Sequence, residues 1–225
     1  MSRLVGFEWD AENAYGFNWE DSTAKQVCWG TPNGNLAEAS VHPGGAWQLT
    51  ALNAVSNAPL ASLAGITAYG WRRGNSKQVS YITEGDDHIH EIYFVFPDKN
   101  WKHADLTQIT GAPTAIATGE SIAAYAHPSG GTKQVAFLGS GGNVHELSVG
   151  IGKSWKHVNL TTKTGCPEPD VSGYFSSYFW GAYYSKQVVY TTNDGHVHEL
   201  YVVSAENPLN PWQQWKHFVL PGLTH

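Results

Sequence analysis

Four glutamates occupy matching places in this 225-residue chain: Glu38, Glu91, Glu146 and Glu199 follow the lysines of four Lys-Gln-Val tripeptides by 13 or 14 residues. The tripeptides begin at Lys25, Lys77, Lys133 and Lys186, so Gln26, Gln78, Gln134 and Gln187 recur with them. Six residues before each lysine stands a ring: Trp19, Trp71, His127 and Trp180. A flat aromatic side chain with a carboxylate and an amide at fixed spacing suits a sugar. The ring covers an apolar C–H face, while Glu and Gln exchange hydrogen bonds with hydroxyls. A structural reading competes with this one. The Glu could instead pair with a repeated Lys or His, or cap backbone donors, and the repeated Lys-Gln could belong to the framework.

The spacing of the lysines reveals the elements that must hold these groups. Successive copies lie 52, 56 and 53 residues apart, a near-constant period. Aromatic residues hold the same frame eight residues before the Lys (Phe17, Tyr69, Tyr125, Tyr178) and four after it (Trp29, Tyr81, Phe137, Tyr190). Both sets are expected in the packed interior. A Trp closes each unit (Trp47, Trp101, Trp155, Trp215) and is expected to pack; in the last three units it opens Trp-Lys-His, with His103, His157 and His217. The first unit, which reads Trp47-Gln48-Leu49, is the divergent copy.

Within the second unit, residues 66–71, 78–82, 88–95 and 101–106 read as strands, rich in β-branched and aromatic residues and separated by Gly, Asn and Asp turns. Helical periodicity is sustained nowhere. Four strands per repeat, four times over, predicts an all-β fold: a β-propeller with four blades of four antiparallel strands each. The chain is then a single domain, with blades at about 1–59, 60–113, 114–167 and 168–225, bounded by Asn57-Ala58-Pro59, Gly111-Ala112-Pro113 and Gly165-Cys166-Pro167. Full-length units at both ends favour a ring closed within one chain; the alternative is a half-ring that pairs as a homodimer.

Composition removes other classes. Charged residues make up 14%, against about 25% in an average protein, and aromatics 13%. A net charge of −6 argues against a nucleic-acid partner and against docking on anionic lipid. No apolar run approaches the roughly 20 residues of a membrane helix, so no membrane insertion is expected. No signal peptide is visible at the start of the sequence, which favours a cytoplasmic location or non-classical secretion. Cys28 and Cys166 sit in non-equivalent contexts and read as free thiols.

The unit ring-x5-Lys-Gln-Val-x-aromatic, followed by Gly-x-Val/Ile-x-Glu and a Trp, resembles the blade of the fucose-specific β-propeller lectins of fungi and soil bacteria. It is similar also to lectin-like propeller repeats that carry motifs such as His196-Val197-His198-Glu199-Leu200 and Asp105-Leu106-Thr107. The resemblance covers all four units. It implies sugar sites between neighbouring blades, where an Arg and a Glu hold hydroxyls and rings stack on the sugar. The Glu carries over onto Glu38, Glu91, Glu146 and Glu199, and the rings onto Trp19, Trp71 and Trp180, with His127 the exception. The Arg position holds Gln26, Gln78, Gln134 and Gln187, with two donors and an acceptor in place of a five-donor fork. The expected partners are therefore glycans or glycoconjugates, with fucose or a related monosaccharide as ligand. Several equal sites would gain avidity on clustered ligands.

Other readings remain in view. His88 and His90, and His196 and His198, share strand faces at i, i+2, yet the pattern is missing from half of the units, so no metal site and no cofactor are expected. The notable polar residues recur in copies, whereas a catalytic centre is usually a single asymmetric one, so an enzyme is not expected. A protein-interaction propeller is the first alternative. A haem- or metal-binding propeller, similar in shape only to the hemopexin fold, is the second.

Overall fold

The computed structural model describes residues 14–18, 24–96, 98–118, 120–127, 131–180, 185–203 and 214–222, with the side chains of 14–18 and of residue 63 left aside. The first sheet contains β1 (Ala14–Asn18), β2 (Lys25–Gly30), β3 (Leu36–Val41) and β4 (Gln48–Ala51), followed by the short helix α1 (Leu52–Ser56). The second contains β5 (Ala61–Trp71), β6 (Ser76–Thr83), β7 (Ile89–Val95) and β8 (Asn100–Asp105), followed by α2 (Leu106–Thr110). The third contains β9 (Ile122–Ala126), β10 (Thr132–Leu138), β11 (Val144–Gly150) and β12 (Lys156–Asn159), followed by α3 (Leu160–Thr164). The fourth contains β13 (Phe175–Trp180), β14 (Ser185–Thr191), β15 (Val197–Val203) and β16 (Lys216–Val219). Each sheet is an antiparallel meander in chain order, so the fold is a four-bladed β-propeller.

The three helices were not anticipated. Each is a single turn, too short to leave a 3.6-residue period in the sequence. Asp105 and Asn159 cap α2 and α3 by accepting from the backbone N–H of Gln108 and Thr162 at 2.8 and 2.9 Å. Asn57, Gly111 and Gly165 end the three helices in the left-handed conformation. Each helix also ties down the blade before it. Asn53, Thr107 and Thr161 accept from the backbone N–H of Leu36, Ile89 and Val144, at the start of the third strand.

Cross-strand register decides which side chains meet between blades. Glu91 lies opposite Ser80, three residues beyond Lys77 on β6. Side chains alternate along a strand and paired residues share a face, so Lys77 and Glu91 lie on opposite faces of their sheet. The same holds for Lys25 and Glu38 (opposite Cys28), Lys133 and Glu146 (opposite Ala136), and Lys186 and Glu199 (opposite Val189). Every blade thus has a Lys face and a Glu face.

Stacking the blades sets the Glu face of one against the Lys face of the next. β1 packs on β5, β5 on β9 and β9 on β13. Three apolar clusters follow, centred on Val79 and Tyr81, on Val135 and Phe137, and on Val188 and Tyr190. Tyr81, Phe137 and Tyr190, the rings four residues after the lysines, are fully buried there. Among the described residues no strand of the fourth sheet packs in this way on the first. The described blades therefore form an arc with three joints, and the ring closed within one chain is not seen among them.

Candidate functional site

The repeated Lys and Glu meet across each joint. Lys77 Nζ lies 2.5 Å from Glu38 Oε1. Lys133 pairs with Glu91, and Lys186 reaches both oxygens of Glu146 at 2.6 and 2.9 Å. In each case the lysine belongs to the later blade and the glutamate to the earlier one. All six side chains are buried.

Aromatic rings surround these cations. Lys77 Nζ stands 4.8 Å from the centre of the Trp101 ring and 5.5 Å from that of Phe94. Lys133 is enclosed by Trp155, Trp71 and Tyr93 at 5.1, 5.2 and 5.6 Å. Lys186 lies 5.1 Å from Trp215. The ring quadrupole attracts a desolvated ammonium, and the carboxylate neutralises it. The Tyr69 hydroxyl donates to Glu91 Oε2 at 2.9 Å, and burial beside that carboxylate pushes the phenol pKa well up. Burial also raises the Glu38 carboxyl, against the pull of Lys77.

For three of the four glutamates this is the pairing with a repeated Lys that the sequence left open beside a sugar-contact role. Glu38, Glu91 and Glu146 are engaged with lysines and shielded from solvent. Glu199 differs: it is half-buried and accepts a hydrogen bond from Tyr178 Oη at 3.1 Å. The four glutamines are also turned inward. Gln78, Gln134 and Gln187 donate to Ser76, Thr132 and Ser185, two residues earlier on the same strand. The Oε1 atoms of all four, Gln26 included, are buried without a hydrogen-bond partner among the described residues. Trp71 is buried at a joint, His127 is buried against Phe179, and Trp180 is exposed. Trp19 lies outside the described residues.

The side chains that reach solvent around the joints are different ones. Tyr93, Trp101 and Trp155 are half-buried, each with its ring against a joint lysine or its rim. Arg73 is exposed and packs over Gly131, beside the joint of the second and third blades. The sequence offered a signal for the cation: lysine is as strictly repeated as glutamate. The sequence named Glu as its possible partner, but only the register shows that the two lie on opposite faces of one blade and meet between blades.

The repeated histidines also meet. His90, His145 and His198 contact His103, His157 and His217, Nδ1 to Nε2, at 2.5, 2.8 and 2.8 Å, with near-parallel rings. One ring must donate and the other accept, which requires at least one neutral member. Burial lowers His90 and His145 to about 4. In the second blade, ligand atoms of Asp86, His88 and His90 lie within 4.8 Å of one another. There Asp105 already holds His88 Nδ1 at 2.8 Å, and Asp86 accepts from Thr83 and from the His88 backbone. His196 likewise contacts Asp194 at 2.9 Å. Both cysteines are free and buried.

No protein-family model matches the chain, and no curated protein matches it. Solved structures do. The lectin AofleA of Arthrobotrys oligospora superposes with a TM-score of 0.62 at 18% identity, over 92% of this chain and 56% of its own. The Aleuria aurantia lectin AAL, in complex with Fucalpha1-6GlcNAc, gives 0.62 at 14% identity, over 93% and 62%. The BP39L lectin of Burkholderia pseudomallei gives 0.60 at 17% identity, over 89% and 53%. The chain thus spans little more than half the length of these structures, and its fold is that of the fucose-lectin-like propellers.

Proposed function

We propose that the protein is a carbohydrate-binding lectin, with a fucoside as the leading candidate ligand, and that the sugar sits at the rims of the joints between blades. One observation carries the reading. Each of the three joints repeats a cation, a carboxylate and at least one aromatic ring over the cation, in a propeller whose fold is shared with a lectin solved in complex with Fucalpha1-6GlcNAc. The buried Lys–Glu pair is the rigid polar floor. The half-buried rings of Trp101, Trp155 and Tyr93 supply flat faces for sugar C–H groups, and Arg73 supplies a donor fork at the second joint. The Lys–Glu pair recurs from joint to joint, which suits multivalent binding of glycoconjugates better than catalysis.

Isothermal titration of the folded chain with L-fucose and a panel of other monosaccharides tests the reading, alongside Trp155→Leu and Arg73→Ala. Saturable heat that weakens in these variants is expected. Silence for every sugar would overturn it and move the weight to a protein-interaction propeller.

A further inference from the structure

Three joints place a Glu face against a Lys face, and the two ends of the arc present one of each. On the Lys face of the first blade, Lys25 is exposed and Val27 and Trp29 are half-buried, whereas the equivalent Lys77, Lys133 and Lys186, with the valines and rings after them, are buried. The closing Trp47 is 52% exposed, against 8% for Trp215 over its lysine. On the Glu face of the fourth blade, Tyr178 is 43% exposed against 6% for Tyr69, and Trp180 49% against 9% for Trp71. Glu199, hydrogen-bonded to Tyr178 as Glu91 is to Tyr69, stands on this face without a lysine among the described residues.

The two end faces are therefore the complementary halves of a joint that the chain already builds three times. We propose that the first-blade Lys face docks on the fourth-blade Glu face of a second copy of this chain. Lys25 of each copy then pairs with Glu199 of the other, between Trp47 on one side and Tyr178 and Trp180 on the other. Two such joints, related by a two-fold axis, close the assembly. A second copy fits better than the chain's own opposite end. Among the described residues the first and fourth sheets lack the packing that joins the other neighbours, and the arc follows propellers of which it covers only 53–62%. Opposite charge fixes the register of the contact, and the exposed rings supply the apolar area. The inference rests on the joints and is independent of the sugar-binding reading.

Light scattering coupled to size exclusion tests it on the full chain at tens of micromolar. The expected mass is about twice the 24.6 kDa of one chain. Lys25→Glu alone and Glu199→Lys alone should each run at the mass of one chain while keeping the wild-type circular dichroism. An equimolar mixture of the two variants should recover the double mass, because one joint then carries both reversals and the other the native pair. A wild-type chain of single mass overturns the proposal, as does a dimer that neither reversal disturbs. Closure within one chain would show as a single mass that mixing leaves unchanged.

Discussion

Lys133 of the third blade and Glu91 of the second form an ion pair that neither blade could make alone, because within each sheet the Lys and Glu positions lie on opposite faces. The pair is buried among Trp71, Tyr93 and Trp155, so it joins the blades through charge, hydrogen bonding and ring contacts at one point. Removing one partner leaves the other buried and uncompensated. Lys133→Met or Glu91→Leu alone should therefore lower stability by roughly 3–5 kcal/mol, whereas the double variant should recover much of that loss. Urea unfolding of the three variants measures this. Single variants within about 0.5 kcal/mol of wild type would show that the pair does not hold the joint.

The paired histidines give the protein an acid-sensitive element. Burial depresses His90 and His145 to about 4, and His103, His157, His198 and His217 are lowered as well. The unfolded chain takes up these protons near pH 6.5, before the folded one does. The stabilisation is thus complete above about pH 6.5, declines as pH falls, and is gone once the folded pKa values near 4 are passed. The urea midpoint should drop between pH 7 and pH 5. A variant carrying both His145→Gln and His157→Gln should show a shallower drop; a slope identical to wild type would remove the third-blade pair from the account.

Gly34 tests the packing between the first two blades. It has a φ of +78°, and a Cβ there would lie 2.8 Å from the Ala61 carbonyl oxygen, which is backbone. Gly44 has a similar φ of +74° with nothing within 4 Å of the same point. Both Ala variants carry the left-handed strain of about 1–2 kcal/mol, and only Gly34→Ala adds a clash. Thermal denaturation should place Gly34→Ala clearly below Gly44→Ala. Equal melting temperatures would mean that the Gly34 turn moves away from Ala61 at no cost.

Repetition made the architecture readable in the sequence. Four Lys-Gln-Val copies located the second strand of each blade, and the aromatics in the same frame marked the core where blades meet, as the burial of Tyr69, Tyr81, Tyr125, Phe137 and Tyr190 shows, whereas Trp29 is half-buried and Tyr178 exposed. The chemistry of the site was harder to read. A list of repeated Glu, Gln and Trp does not say which face each occupies, and a one-residue change in alternation moves a carboxylate from the joint with the next blade to the joint with the one before. The glutamines read equally as ligand groups or as framework because they are polar and repeated in every copy; the amides of Gln78, Gln134 and Gln187 bond to Ser76, Thr132 and Ser185 within their own strands. The helices after the fourth strand escaped notice because five residues complete barely more than one turn.

The most direct measurement is a glycan array probed with the labelled full chain and repeated with free L-fucose as competitor. The account predicts binding to a defined set of glycans, with fucosylated ones foremost and displaced by fucose. Binding that fucose leaves untouched would retain a lectin and discard the fucoside. No binding anywhere on the array, from protein shown by circular dichroism to be folded, would contradict carbohydrate recognition itself.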